Sequence, residues 1–97
     1  MRVISVKMLR EFWEVHRDVE GALRAWYSEA EIVQWKTPQD ILDRYGGVDI
    51  LPGHRVVFNI KGNQYRLVVK IHFNSGKGYI RFVGTHAEYD KIDAERI

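Results

Sequence analysis

The chain of 97 residues contains no cysteine. It can therefore form neither a disulfide framework nor a thiolate metal site, which fits a reducing compartment. It also has no long apolar run, so we expect neither a signal peptide nor a membrane-spanning helix. Low-complexity tracts, internal repeats and linkers rich in proline or serine are absent as well. These absences and the chain length favour one domain over residues 1–97 and a location in the cytoplasm.

The most informative absence is that of acidic residues between Asp49 and Glu88. Residues 1–49 and 88–97 each carry more Asp and Glu than Lys and Arg. The stretch between them holds His54, His72 and His86, and the basic residues Arg55, Lys61, Arg66, Lys70, Lys77 and Arg81. A locally basic face attracts phosphate even where the net charge is only +2. The alternative is a solvated sheet surface that is basic without a function.

Apolar periodicity predicts three helices in the first half of the chain. After a short strand at residues 3–6, the first helix has one face formed by Leu9, Phe12, Trp13 and His16. Asp18 is the expected N-cap of the second helix. Thr37 followed by Pro38 predicts the start of the third, which ends near Tyr45. We expect the three tryptophans to lie in the core, namely Trp13, Trp26 and Trp35.

The second half alternates between apolar and polar residues and predicts three strands, at residues 55–60, 65–73 and 78–85. A two-residue turn at Gly62-Asn63 and a four-residue turn at residues 74–77 would join them. These turns pair Arg55 with Lys70, and Lys70 with Arg81. The resulting register places every apolar side chain on one face of the sheet, including Ile80 and Phe82.

The same register predicts one basic face on the other side of the sheet, formed by Arg55, Asn59, Lys61, Arg66, Lys70, His72 and Arg81. Like charges directly opposite each other cost stability. Lys70 between Arg55 and Arg81 is therefore a local conflict of the kind that is typical of functional sites. This conflict favours a functional face over an inert one.

The residues that follow the last strand are the best candidates for chemistry. Gly84 permits a bend or a bulge, and His86 lies just beyond it. Histidine is the side chain best suited to move protons near neutral pH. Tyr89 would reach the same place if a turn forms. The alternatives are that His86 caps a C-terminal turn and that this turn buries Tyr89. For His54 and His72 a purely structural role is favoured over a functional one.

Cleavage of RNA without a metal fits this set of residues. No cluster of carboxylates or histidines has metal-ligand spacing, so we expect no metal and no cofactor. No serine lies in a strained elbow, which leaves Ser/His/Asp catalysis weakly supported. In RNA the 2′-OH itself attacks the phosphorus. His and Tyr can transfer the two protons, and Arg and Lys can neutralise the phosphorane. DNA lacks the 2′-OH and would resist cleavage.

Four blocks of the chain resemble the HigB toxins, which are RelE-like messenger-RNA endonucleases of bacterial toxin–antitoxin systems. The blocks are residues 23–27, 55–60, 62–71 and 79–93, and the last is the most specific. The resemblance extends over nearly the whole chain. One departure is Arg17, where we expect the family to prefer proline before an aspartate such as Asp18.

The resemblance implies an α+β fold of the microbial RNase type, with N-terminal helices packed on a twisted antiparallel sheet. It implies cleavage of messenger RNA in the ribosomal A site and a cognate helix-turn-helix antitoxin. Operator DNA would be bound only through the antitoxin complex, and no membrane is involved. His86 matches the catalytic histidine of relatives with this motif, and Arg81 the strand arginine that holds phosphate. Lys70 and Arg66 match basic positions, and Tyr89 matches a C-terminal tyrosine.

We therefore predict a ribosome-associated endoribonuclease that is the toxin of a type II pair. His86 is the predicted general acid or base, with Tyr89 beside it, and Arg81 and Lys70 stabilise the phosphorane. RNA is predicted to be bound by Arg66, Asn59, Arg55, Lys61 and His72. Two alternatives stay open. One is an RNA-binding module that leaves RNA intact, and the other is an inactive toxin-like subunit that acts as a co-repressor with the antitoxin.

Overall fold

The computed structural model describes residues 1–97 and has the predicted α+β architecture. Its elements are β1 (Arg2–Ile4), α1 (Val6–Val15), a 3₁₀ turn (Arg17–Val19), α2 (Glu20–Ile32), α3 (Pro38–Arg44), β2 (Asp49–Leu51), β3 (Arg55–Ile60), β4 (Tyr65–His72), β5 (Lys77–Thr85) and α4 (His86–Tyr89). The strands form one sheet in the order β1-β5-β4-β3-β2. β1 runs parallel to β5 while all other neighbours are antiparallel, so the sheet is mixed and not purely antiparallel. No helix is long and apolar enough to cross a membrane.

The N-terminal strand is shorter than predicted, because Val6 already belongs to α1. Ser5 separates the two elements with a φ of 72°, in the left-handed region. That backbone conformation fits neither a strand nor a right-handed helix, so it ends one element before the other begins. From there α1 turns Leu9 and Trp13 towards the core, as the periodicity predicted.

The prediction that Asp18 caps α2 is wrong. The N-cap of α2 is Val19, and no side chain caps this helix. The Asp18 carboxylate instead accepts a hydrogen bond from the Tyr65 hydroxyl at 2.7 Å and one from Lys61 Nζ at 3.0 Å. The bond from Tyr65, followed by that from Lys61, lowers the pKa of the Asp18 carboxyl. Asp18 therefore ties the 3₁₀ turn to the sheet.

The third helix begins and ends where the sequence predicted. Thr37 Oγ1 accepts from the Asp40 amide at 3.4 Å, and the Thr37 amide donates to Asp40 Oδ2 at 3.2 Å, which is a capping box. Pro38 is the first helical residue and Tyr45 is the C-cap. The backbone amide of Lys36 also donates to the Asp40 carboxylate and, with that of Thr37, lowers its pKa.

The main core lies between the three longer helices and one face of the sheet. All three tryptophans are buried there, as predicted. The sheet contributes alternate residues of its long strands to this core, namely Val56, Phe58, Ile60, Tyr65, Leu67, Val69, Ile71 and Ile80. Strand β3 therefore presents its predicted apolar face to the helices.

Strand pairing agrees with the prediction on one side of β4 and not on the other. Arg55 lies opposite Lys70 as predicted, although the β3–β4 turn leaves four residues unpaired, at positions 61–64. Between β4 and β5 the predicted pairing of Lys70 with Arg81 is wrong. Lys70 lies opposite Tyr79, and Val68 lies opposite Phe82, so a β-bulge leaves Arg81 without a partner in the ladder.

The bulge reverses the facing of the residues that follow it, and the sheet has apolar side chains on both faces. Phe82 joins a second, smaller core on the face away from the long helices, with Val57, Val68 and Ala94 at its centre. Leu51, Tyr89, Ile92 and Ile97 pack around these residues. A Cβ at Gly84 would lie 2.5 Å from the Phe82 ring, so the glycine makes room for that ring. The prediction of a single apolar face is therefore wrong, and residues 90–97 cover part of the second face.

Candidate active site

His86 is held at the junction between β5 and the short helix α4. Thr85 is the N-cap, and its Oγ1 accepts from the Glu88 amide at 3.1 Å. Glu88 Oε1 accepts from the Thr85 amide at 2.8 Å, and this bond lowers the pKa of the Glu88 carboxyl. The His86 amide donates to the Gln64 carbonyl at 3.1 Å, which joins it to the β3–β4 turn. His86 is thus the first residue of α4, and its ring takes no part in the cap.

Asp90, one helical turn later, places a carboxylate beside the His86 ring. Nδ1 of His86 lies 3.5 Å from Asp90 Oδ2, and the His86 side chain is 45% exposed. A carboxylate near Nδ1 favours the tautomer with the proton on Nδ1, in which Nε2 is the acceptor. The arrangement therefore leaves Nε2 available to exchange a proton with a bound substrate.

Tyr89 joins His86 to an arginine of the neighbouring strand. The Tyr89 and His86 ring centres lie 6.3 Å apart, and the guanidinium carbon of Arg66 lies 4.8 Å from the Tyr89 ring centre. A guanidinium over a tyrosine face is a cation–π contact. The predicted turn does form, and it places Tyr89 between His86 on one side and Arg66 on the other. We call Arg66, His86, Tyr89 and Asp90 the proximal patch.

Arg66 is less available than the sequence suggested. Its Nη1 lies 2.8 Å from Asp49 Oδ2, and its side chain is only 14% exposed. Asp49 marks the end of the acid-free stretch in sequence, yet the pairing of β2 with β3 returns it to the same face. A carboxylate therefore lies beside these basic residues, although residues 50–87 contain none. Arg66 Nε is also buried without a partner.

The predicted continuous basic face is divided by the second core. Arg66 and Lys70 are four residues apart in β4, roughly 13 Å at the usual rise of a strand. Val68 lies between them and is buried under Ala94. Lys70 and His72 therefore lie beyond that core, near the other end of the strand. Arg55 lies opposite Lys70, and its Nε donates to the Ile97 carbonyl oxygen at 2.7 Å.

The remaining predicted site residues have different surroundings. Asn59 Nδ2 donates to the Gly47 carbonyl at 2.8 Å, and Lys61 forms the ion pair with Asp18. Both side chains thus hold other parts of the fold in place. Arg81 is exposed at the bulge and takes part in none of the seven ion pairs. Its charge is therefore free to bind phosphate.

Two acidic residues at the site were not predicted. Asp90 follows His86 by four residues, a helical spacing that could have been recognised once α4 was assumed. Asp49 reaches Arg66 only through the pairing of a three-residue strand, for which the sequence has no clear pattern. No three His, Cys, Asp or Glu side chains lie close enough to hold a metal ion together.

Known proteins resemble this chain over nearly its whole length. A family model named HigB_toxin, a RelE-like toxic component of a toxin-antitoxin system, matches residues 19–92. The mRNA interferase toxin HigB of Escherichia coli K12 is 33% identical over 97 residues, which covers 97% of this chain and 92% of that protein. The mRNA interferase HigB of Shigella flexneri matches to the same extent. That of Escherichia coli O6:H1 is 23% identical over 94 residues, 95% of this chain and 91% of its own length.

The matched range includes every residue of the proximal patch, from Arg66 to Asp90. It also includes the bulge at Arg81 and both turns that flank β4. The resemblance noted in the sequence is confirmed, and the chain belongs to the HigB toxin family of RelE-like toxic components of toxin–antitoxin systems.

Proposed function

We propose that this protein is the toxin of a type II toxin–antitoxin pair and that it cleaves messenger RNA. Membership of the HigB toxin family supports the first part. The second part is supported by relatives named mRNA interferases, which align over nearly the whole chain. The observation that carries the proposal is the solvent-accessible His86 ring, which has the Asp90 carboxylate and the Tyr89 ring beside it, while Arg66 lies over the Tyr89 ring.

In the proposed reaction the 2′-oxygen of a nucleotide attacks its own 3′-phosphorus. The new 2′-O–P bond forms while the P–O5′ bond to the next nucleotide breaks. One proton leaves the 2′-OH and one proton is added to the departing O5′. His86 Nε2 performs one of these two transfers, and Tyr89 is the neighbouring group able to take part in the other. The products are a 2′,3′-cyclic phosphate and a 5′-hydroxyl.

An arginine of the proximal patch can neutralise the negative charge that develops on phosphorus. Nη1 of Arg66 is bound to Asp49, whereas Nη2 has no partner within the chain. A guanidinium presents donors in a fixed plane and can hold phosphate oxygens in a defined direction. Arg66 is therefore the proposed stabiliser of the phosphorane, and the exposed Arg81 contributes a second charge. Lys70 lies too far along β4 for this role, so we assign it to the RNA backbone.

The proposed partners follow from this chemistry and from the family. A cognate antitoxin with a helix-turn-helix fold would neutralise the toxin and carry the pair to operator DNA. The proposed substrate is messenger RNA in the ribosomal A site, which places the protein in the cytoplasm. A ribosome would hold the messenger in one conformation and so supply part of the positioning that a small protein lacks.

Analysis of RNA ends tests the proposal directly. The wild type and His86→Ala are expressed under a tight promoter without antitoxin, and cellular messengers are sequenced by methods that distinguish 5′-hydroxyl from 5′-phosphate ends. We expect new 5′-hydroxyl ends in messengers for the wild type and none for His86→Ala.

Expression of the same two proteins with the antitoxin is the control. New 5′-phosphate ends would overturn the 2′-OH mechanism. Growth without any new RNA ends would favour an inactive co-repressor subunit, and RNA binding without cleavage would favour the binding module.

A further inference from the structure

Three aromatic rings form a row on the sheet surface beyond the second core. The His54 and His72 ring centres lie 6.1 Å apart with ring planes 22° apart, and those of His72 and Tyr79 lie 5.3 Å apart. His54 and His72 are exposed, and Tyr79 is half-buried. None of the three belongs to either hydrophobic core. The row therefore does not serve to fill the interior.

Three features of the backbone fix the positions of these residues. The Ile71 amide donates to the His54 carbonyl at 2.8 Å, which fixes the β2–β3 turn beside β4. His54 has a φ of 65°, a conformation that residues other than glycine adopt seldom. His72 and Tyr79 belong to adjacent paired strands. The backbone positions that carry the three rings are therefore fixed before a ligand binds, so binding does not have to order them.

Free positive charge surrounds the rings. Lys70 lies directly opposite Tyr79, and Lys77 lies directly opposite His72. Neither lysine takes part in any of the seven ion pairs. Flat rings interleaved with unpaired cations are the arrangement by which proteins bind single-stranded nucleic acid, with bases on the rings and phosphates on the cations. We call His54, His72, Tyr79, Lys70 and Lys77 the distal patch.

We propose that the distal patch is a second RNA-binding subsite, which stacks unpaired bases of the same messenger that is cut at His86. The proposal rests on the proposed function and extends it to nucleotides away from the cut. His72 and Tyr65 are seven residues apart in β4, roughly 23 Å. Tyr65 lies opposite Thr85, the neighbour of His86. The subsite therefore binds bases several nucleotides from the scissile bond, on the far side of the second core.

The test measures binding without cleavage, so that it is independent of catalysis. The probe is a 2′-O-methylated single-stranded RNA, and its affinity is measured by fluorescence anisotropy. The variants are His72→Thr, which suits a strand, and His54→Asn, which tolerates a positive φ. We expect His72→Thr to weaken binding roughly fivefold to hundredfold, the usual range for one base–aromatic contact. His72→Tyr restores a ring and should restore binding.

An abasic oligonucleotide of the same length separates stacking from charge. It keeps every phosphate and offers no base, so wild type and His72→Thr should bind it equally. Arg10→Gln removes an exposed charge from α1, which packs against the opposite sheet face, and is the control for non-specific electrostatics. Melting temperatures confirm that each variant is folded.

Equal affinity of wild type, His54→Asn and His72→Thr for the base-containing probe would overturn the subsite. So would variants that bind this probe normally but lose affinity for empty ribosomes, because the rings would then contact ribosomal RNA. Failure of the wild type to cleave RNA while these affinity differences persist would instead refute the proposed function and leave the subsite standing.

Discussion

The guanidinium carbon of Arg66 lies 4.8 Å from the centre of the Tyr89 ring, while Nη1 of the same side chain binds Asp49. Arg66 thus connects α4, β4 and β2. Because like charges on one face cost stability, neutralising a charge there would by itself leave the melting temperature equal or slightly higher. The contacts of Arg66 change that expectation for this one residue.

We predict that Arg66→Gln lowers the free energy of unfolding by about 1–2 kcal/mol, through loss of the cation–π contact and the bond to Asp49. In a domain of this size the melting temperature falls by about 4–8 °C for each kcal/mol. Arg81→Gln, at an exposed and unpaired position, should stay within about 0.5 kcal/mol of the wild type. Thermal denaturation of both variants checks this, and equal melting of Arg66→Gln and wild type would contradict it.

The contact between His86 and Asp90 predicts a graded loss of cleavage. His86→Ala should lower the rate by about 10²–10⁴-fold, the usual contribution of one acid–base group. Asp90→Asn should cause a smaller loss, because it removes only the orienting charge. Asp90→Glu, which keeps the charge, should recover part of the rate.

Measuring both kcat and RNA affinity separates a positioning role of Asp90 from a structural one. Asp90→Asn should reduce kcat while its affinity for 2′-O-methylated RNA stays at the wild-type value. If Asp90→Asn cleaves as fast as the wild type, Asp90 does not orient the histidine.

The second core lies on the sheet face that was predicted to be polar. We therefore expect even a small truncation there to lower the free energy of unfolding. Val68→Ala should destabilise the protein by about 2–3 kcal/mol, since two buried methyl groups are removed and a cavity is left. Val15→Ala makes the same chemical change at a side chain that is 77% exposed and should cost about 0.5 kcal/mol or less. Urea unfolding measures the loss of unfolding free energy in each variant. A solvated face would give both the same small value.

The hydrogen bonds of Asp18 predict that the stability difference between Asp18→Ala and the wild type depends on pH. Its hydrogen bonds from Tyr65 and Lys61 lower its pKa below the ordinary value of 3.8. A carboxyl with a lowered pKa stabilises the fold above its unfolded pKa, and this stabilisation is lost as pH falls through the folded pKa. Asp18→Ala should therefore be less stable than the wild type at pH 7, and the difference should shrink below a pH of about 3.8.

Urea unfolding at neutral and acidic pH measures the effect of Asp18, with Glu95→Ala as the control. Glu95 is exposed and its carboxylate has no ion-pair partner. A constant difference between Asp18→Ala and wild type at all pH values would show that the carboxylate charge is not involved.

The sequence predicted local features well where one residue pattern has one physical solution. Thr37 followed by Pro38 has few uses other than a helix start, and α3 begins there. The alternation in β3 and β4 around Gly62 determined their pairing, because a slip by one residue would expose the main core. The position of His86 after the last strand was likewise confirmed.

The errors arose where two patterns were equally consistent with the residues. Phe82 and Val83 are adjacent and both apolar, so alternation alone could not tell which of them faces the helices. The bulge that decides this depends on packing against Val68, a contact across strands. Residues 90–97 have no strong apolar periodicity, and their packing over the sheet is formed by contacts distant in sequence. The contact between Asp49 and Arg66 was missed for the same reason, because the two residues are distant in sequence.

A single 2′-deoxy substitution tests whether the substrate's own 2′-OH is the nucleophile. Two messengers are bound to ribosomes, identical except that one carries 2′-deoxyribose at the nucleotide 5′ to the mapped cut. We predict that the all-ribose messenger is cut to a cyclic phosphate end and that the deoxy messenger is not cut at that position. Cleavage of the deoxy messenger at the same bond would contradict attack by the 2′-OH.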